Sequence, residues 1–103
     1  MRELVYLASV EADFDRILRR ITIGSGSLEA GQKFVAELRA RCKRVATLPG
    51  TLGRARPELL PDLRSFPHKR YIVFFRYTPE AFVVVNILEA ARDLDAYFAQ
   101  DDD

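Results

Sequence analysis

The strongest constraint on this chain lies in residues 70–88, "RYIVFFRYTPEAFVVVNIL". Two β-prone runs, 70–77 and 82–88, flank the turn residues "TPEA" at 78–81, the pattern of an antiparallel hairpin. Side chains alternate between the two sides of a strand. Tyr71, Val73, Phe75 and Tyr77 therefore share one side of the first run, and Ile72 and Phe74 the other. In the second run Phe82 and Val84 are set against Val83, Val85 and Ile87. Both sides of both strands are apolar, so the hairpin belongs in the middle of a sheet and needs cover on two sides.

The upstream half supplies one cover. Phe14, Ile17, Leu18 and Ile21 recur at helical spacing. Ser9 is the expected N-cap, with Glu11, Asp13 and Asp15 giving negative charge to the first turns. "GSGS" (24–27) should stop this helix by Gly24. A second helix starts near Ser27 or Leu28, carries Phe34, Leu38, Cys42, Val45 and Leu48, and ends at Pro49-Gly50. Joined by a short glycine link, the two make an antiparallel hairpin.

Ahead of them "LVYLA" (4–8) is a short strand, apolar on both sides and expected inside the sheet or well covered. Residues 50–61 read as a loop punctuated by Gly50, Gly53, Pro57 and Pro61. "DLRSF" (62–66) is a short strand that Pro67 makes an edge strand or brings to its end. "ARDLDAYFA" (91–99) forms a short C-terminal helix, and the acidic tail at 101–103 frays. The order is β-α-α-β-β-β in a single domain spanning 1–103. The class is α+β, an antiparallel sheet packed against a helical hairpin. The hairpin covers one side of the sheet, and the C-terminal segment part of the other. The remaining apolar surface is expected to be a binding groove.

A chain of 103 residues fits one domain, and 49% hydrophobic with 30% charged residues fits a folded one. No apolar run reaches the roughly 20 residues of a membrane span, and the charged start "MRELVYLASVEADFDRI" does not read as a signal peptide. The expected location is cytoplasmic. Cys42 is the only cysteine and His68 the only histidine, so neither an internal disulfide nor a structural zinc site is possible. No cofactor or metal is expected, and Cys42 reads as a buried core thiol. The net charge of +1 hides a division: residues 1–40 are neutral, 41–76 carry +7 and 77–103 carry −6. The basic middle third points to an anionic partner or to pairing within the fold. A chain this close to neutral is a poor candidate for tight, salt-driven DNA binding on its own.

Over nearly the whole chain, most closely across 46–94, the sequence resembles the ParE branch of the RelE/ParE toxins of bacterial type II toxin–antitoxin systems. The resemblance rests on a P-x-x-G-R-like segment (Pro49 to Arg54, one residue longer), "RPEL" (56–59), "LRSFP" (63–67), "RYIVFFR" (70–76) and "ARDL" (91–94). It implies a RelE/ParE-like fold and a ParD-type antitoxin that lies along the toxin's apolar surface. It implies DNA gyrase as the target, and contact with DNA only through the antitoxin. RelE-type relatives instead cleave mRNA on the ribosome. Glu89 stands where such chains often carry His, as "LEAARD" in place of "LHGARD", so that histidine's role is not carried over.

RNA cleavage needs a base, a cation and an acid around one phosphate. The available groups are His68, Arg64, Arg70, Arg76, Arg92 and Glu89. His68 reads as a turn residue, and Arg76 alternates with the apolar Ile72 and Phe74. The reading is therefore a non-enzymatic toxin with no catalytic residue. The antitoxin is expected on Phe74, Phe75, Val83 and Val85, with Arg64, Arg70, Arg76 and Arg92 pairing to its carboxylates. Arg54 and Arg56 are the expected target contacts. For Arg56, Arg64 and Arg92, salt bridges to Glu58, Asp62 or Asp95 are the competing structural role.

Overall fold

A computed structural model describes residues 2–90. The elements run β1 (Glu3–Tyr6), α1 (Ala8–Ser25), α2 (Leu28–Thr47), β2 (Arg54–Ala55), β3 (Arg64–His68), β4 (Tyr71–Tyr77) and β5 (Ala81–Glu89). The α+β class and the antiparallel β3-β4-β5 meander are as expected. The C-terminal helix and Arg92 lie outside the described residues.

The sheet is mixed. Its order is β1-β5-β4-β3-β2, with β1 parallel to β5 and the other pairs antiparallel. Two expectations change here. β1 is an edge strand: among the described residues it pairs with β5 alone. The loop after α2 contains a two-residue strand, β2, which pairs with the start of β3 and takes the outer edge. β3 also runs through Pro67 to His68. Proline is tolerated there because β2 pairs only Arg64 and Ser65, leaving the outer edge at Pro67 without a partner strand.

α1 and α2 cover one side of the sheet. Val10, Phe14, Ile17, Leu38, Cys42 and Val45 meet Phe66, Val73, Phe75, Phe82, Val84 and Ile87. Phe75 stacks on Phe82 with centroids 4.4 Å apart. Gly26 ends α1 in the left-handed conformation (φ 74°), two residues beyond the expected stop. Ser27 caps α2 by accepting from the Ala30 N–H at 3.1 Å. Ser9 is not the cap of α1: the helix starts at Ala8, and the Ser9 hydroxyl donates to the Val85 carbonyl at 3.4 Å.

The strict alternation expected of β5 is broken. Phe74 faces Asn86 while Phe75 faces Val84, so Val85 is an extra residue in a β-bulge. Val84 and Ile87 thereby both reach the helical core. Ile87, expected beside Val83 and Val85, is on the other side from them.

The bulge lies where β1 has ended, and α1 takes over as the neighbour of β5. The Leu7 N–H donates to Val84 O at 3.1 Å. Asp13 accepts the Ile87 N–H at 3.0 Å, and Arg16 donates to Ile87 O at 3.1 Å while pairing with Asp13 at 3.0 Å. Asp13, read from sequence as a first-turn charge, is 8% exposed and serves as a substitute strand partner.

Candidate functional site

The site is built on the side of the sheet that the helices do not cover. Leu63 and Phe74 are buried there, with Leu59, Ile72, Val85 and Leu88 packed around them as half-buried neighbours. The loop 56–63 folds back through the Arg56 N–H to Leu63 O bond (2.8 Å), which brings Leu59 and Leu63 onto Phe74. Part of the expected groove is thus filled by this loop. Val83 pairs with Arg76 on one side and Val5 on the other, extending the apolar surface to β1.

Register and hydrogen bonding place arginines on this same side. Arg54 is opposite Ser65, which is opposite Phe74, so all three point one way. Arg56 donates from Nε to Ser65 Oγ at 3.0 Å and pairs with Glu58 at 3.2 Å. Arg76 lies two residues beyond Phe74 on β4. Arg54 and Arg76 are exposed, and neither makes an ion pair or side-chain hydrogen bond among the described residues.

Several expected contacts are placed elsewhere. Phe75 is fully buried under the helices and offers nothing to a partner. Adjacent residues of one strand cannot share a side, which excludes Phe74 and Phe75 from acting together. Phe74 (0% exposed) and Val83 (8%) are largely enclosed, so the accessible apolar contacts are Val85, Ile72, Leu88 and Val5. Arg64 is on the helical side, where its guanidinium donates to Leu52 O (2.7 Å) and Gly53 O (2.9 Å). That contact fixes the path into β2. Gly53 is in the left-handed region (φ 78°), and a Cβ there would come within 2.8 Å of Ser65 O, so only glycine fits the path. Arg70 is exposed, 4.0 Å from Glu89.

The groups considered for RNA cleavage divide between the two ends of β4. His68, Tyr71 and Glu89 form one cross-strand row. Arg76 is five residues farther along β4, roughly 17 Å at the usual strand rise, and on the opposite side. In the row, Glu89 is held by Arg20 at 3.2 Å. His68 Nε2 and the Tyr71 hydroxyl are buried without hydrogen-bond partners among the described residues, and both rings lie edge-on to Phe34 of α2. Burial, then Lys69 and Arg41, lower the pKa of His68; burial, then Glu89, raises that of Tyr71. Burial also pushes the Cys42 thiol up to about 11, which removes it as a nucleophile near neutral pH.

No helix among the described residues is long and apolar enough to cross a membrane, and these residues contain no cluster of metal-ligating side chains. In fold, the chain is similar to a solved chain of the chromosomal ParDE toxin–antitoxin system from P. aeruginosa. The TM-score is 0.74 at 21% identity, covering 86% of this chain and 96% of that one. In sequence it is 29% identical over 96 residues to Toxin ParE3 of Caulobacter vibrioides, covering 93% of this chain and 94% of that toxin. Residues 4–94 match the family model of the ParE toxin of the type II toxin–antitoxin system parDE. The chain belongs to the ParE toxin family.

Proposed function

We propose that this ParE-family chain is the toxin of a cytoplasmic ParD-type pair. It inhibits DNA gyrase without chemistry of its own and is silenced by an antitoxin segment laid across the open side of the sheet. The observation that carries the antitoxin reading is Arg76. Among the described residues it is an exposed cation with no ion pair or side-chain hydrogen bond, and it lies opposite Val83, whose other strand neighbour is Val5. A partner offering apolar side chains with a carboxylate at the right spacing satisfies both features. A charge pair formed there on binding contributes to specificity more than to raw affinity. Arg54, expected at the target, shares this side of the sheet and extends the cationic rim. Arg56 is partly engaged by Ser65 and Glu58.

The non-enzymatic reading is supported by the state of the row His68, Tyr71 and Glu89. Its polar atoms are turned inward or engaged by arginine, whereas a general acid or base must reach the substrate's proton. The gyrase target comes from the family. Purified chain added to gyrase should block supercoiling or accumulate cleaved DNA, and a ParD-type antitoxin should reverse it. Discrete mRNA cuts by primer extension in expressing cells, lost in His68→Ala, would replace this reading with the RelE-like one. Normal growth on induction without antitoxin would reduce the chain to an interaction module.

A further inference from the structure

The positive charge of the middle third does not all collect on the open side. Glu37, Arg41 and Arg44 follow at helical spacing along one stripe of α2. The stripe faces the β3–β4 end of the sheet: Glu37 pairs with Lys69 at 3.4 Å, and the Arg41 guanidinium lies 5.4 Å from the centre of the Phe66 ring. Arg44 is near enough to oppose protonation of His68, as are Lys69 and Arg41. The Lys69 ammonium lies 5.4 Å from the Phe34 ring centre. The result is a crease between α2 and β3 lined by Arg41, Arg44 and Lys69, with Glu37 the one carboxylate among the described residues that is paired into it.

A second observation concerns the turn between β3 and β4. Only Lys69 and Arg70 separate the strands, and Lys69 has φ 55°, the one left-handed non-glycine residue described. Two-residue hairpins of this kind favour Asn and Gly at such positions, and an ordinary side chain in that region costs roughly 1–2 kcal/mol. A lysine there keeps a cation over the crease at the expense of an easier turn.

We propose that this crease binds the phosphate backbone of double-stranded nucleic acid, without sequence preference. The site lies on the helical side, opposite Arg76, and does not depend on the antitoxin or target assigned above. A nucleic-acid backbone fits better than an acidic peptide. The aromatic rings nearest the crease, Phe66 and Phe34, lie under Arg41 and Lys69, so a peptide side chain would have to displace a cation to reach them. Two arginines one turn apart on α2, with Lys69 of the adjoining strand turn beyond them, suit a line of phosphates. Because the whole chain is near neutral, the binding is weak and local to this strip.

The test is fluorescence anisotropy of the full chain with a labelled random-sequence DNA duplex of about 20 base pairs. Three phosphate contacts give a log–log salt slope of about −2.7, or roughly a 40-fold loss of affinity between 50 and 200 mM salt. Arg41→Gln/Arg44→Gln should reduce the slope by about 1.8, and Lys69→Asn by about 0.9. Lys69→Asn also relieves the left-handed strain, so it should lose affinity while unfolding no earlier than the parent, which separates binding from damage to the fold. Arg19→Gln, the same loss of charge on α1, should change binding less than twofold. Absence of saturable binding at 50 mM salt would overturn the proposal. So would slopes unchanged in both crease variants, or polyglutamate competing as well as unlabelled duplex.

Discussion

The two sides of the same strands differ in how far the described residues complete them. On the helical side Phe75 and Phe82 are fully buried, Arg64 is spent on carbonyls, and Asp13 answers the Ile87 backbone. On the other side one loop supplies Leu59 and Leu63, several apolar residues stay half-buried, and Arg54 and Arg76 make no ion pair or side-chain hydrogen bond among the described residues. A side closed by the chain's own helices serves stability. In the proposed function, the side that the two helices leave uncovered, with exposed arginines at its rim, is where the antitoxin gains its binding energy. Substitutions should therefore separate into those that unfold the protein and those that leave it folded but unbound.

The largest expected effect is on the closed side. Phe75→Ala removes a ring that stacks on Phe82 and meets Phe66 and Tyr77 edge-on or tilted. Such truncations cost about 3–5 kcal/mol, a large share of the total for a small domain. Chemical denaturation should show the loss directly. Val85→Ala on the open side should cost much less in the free toxin, because Val85 is only half-buried there. Equal losses at the two positions would erase the distinction between the sides.

Asp13→Ala comes next. It strands the buried Ile87 N–H and releases Arg16, and an unsatisfied buried donor costs about 1–3 kcal/mol. Urea unfolding measures it. A loss no greater than that of the exposed neighbour Asp15→Ala would show that water replaces the carboxylate and that α1 does not stand in for a strand.

Asp13 also marks the line between what the sequence makes legible and what only the fold decides. The double-sided apolar runs of β4 and β5 announced a central hairpin, and the two helical stripes announced its cover. Val10, Asp13, Phe14 and Ile17 are spaced i, i+3, i+4, i+7, so an acid inside a buried stripe was present as a signal of a specific partner. The partner itself was not readable, because it exists only once β1 stops at Tyr6 and α1 crosses β5. The bulge at Val85 was hidden for a related reason. "FVVVNIL" alternates equally well with or without an extra residue, and only pairing with β4 decides that Ile87 turns inward. Arg64 and Arg76 looked alike in sequence. Register and the loop carbonyls near Gly53 made one a structural brace and left the other free.

Arg76→Glu tests the open side. Affinity for a ParD-type antitoxin, measured by calorimetry, should fall at least tenfold, or about 1.4 kcal/mol. The unfolding midpoint should hardly move, since a surface substitution away from buried partners usually changes stability by less than about 0.5 kcal/mol. Unchanged affinity would move the antitoxin off this part of the sheet.

The smallest effect is a matter of pH and returns to the closed side. His68 has its pKa lowered from 6.5 by burial, then by Lys69 and Arg41, with Glu37 opposing and Arg44 adding to the depression. In the unfolded chain the imidazole takes its proton at the ordinary value. As the pH falls below 6.5 the unfolded state binds the proton first, so the folded state loses stability until the pH has passed through the lower folded value. Above 6.5 both states are neutral and the contribution is constant. Unfolding midpoints measured from neutral to mildly acidic pH should decline, and His68→Asn should flatten the part of that decline that begins near 6.5. A steeper decline in His68→Asn would mean that the charged imidazole is welcome in the fold. That would contradict the packing of His68 against Phe34 with Lys69, Arg41 and Arg44 acting against its charge.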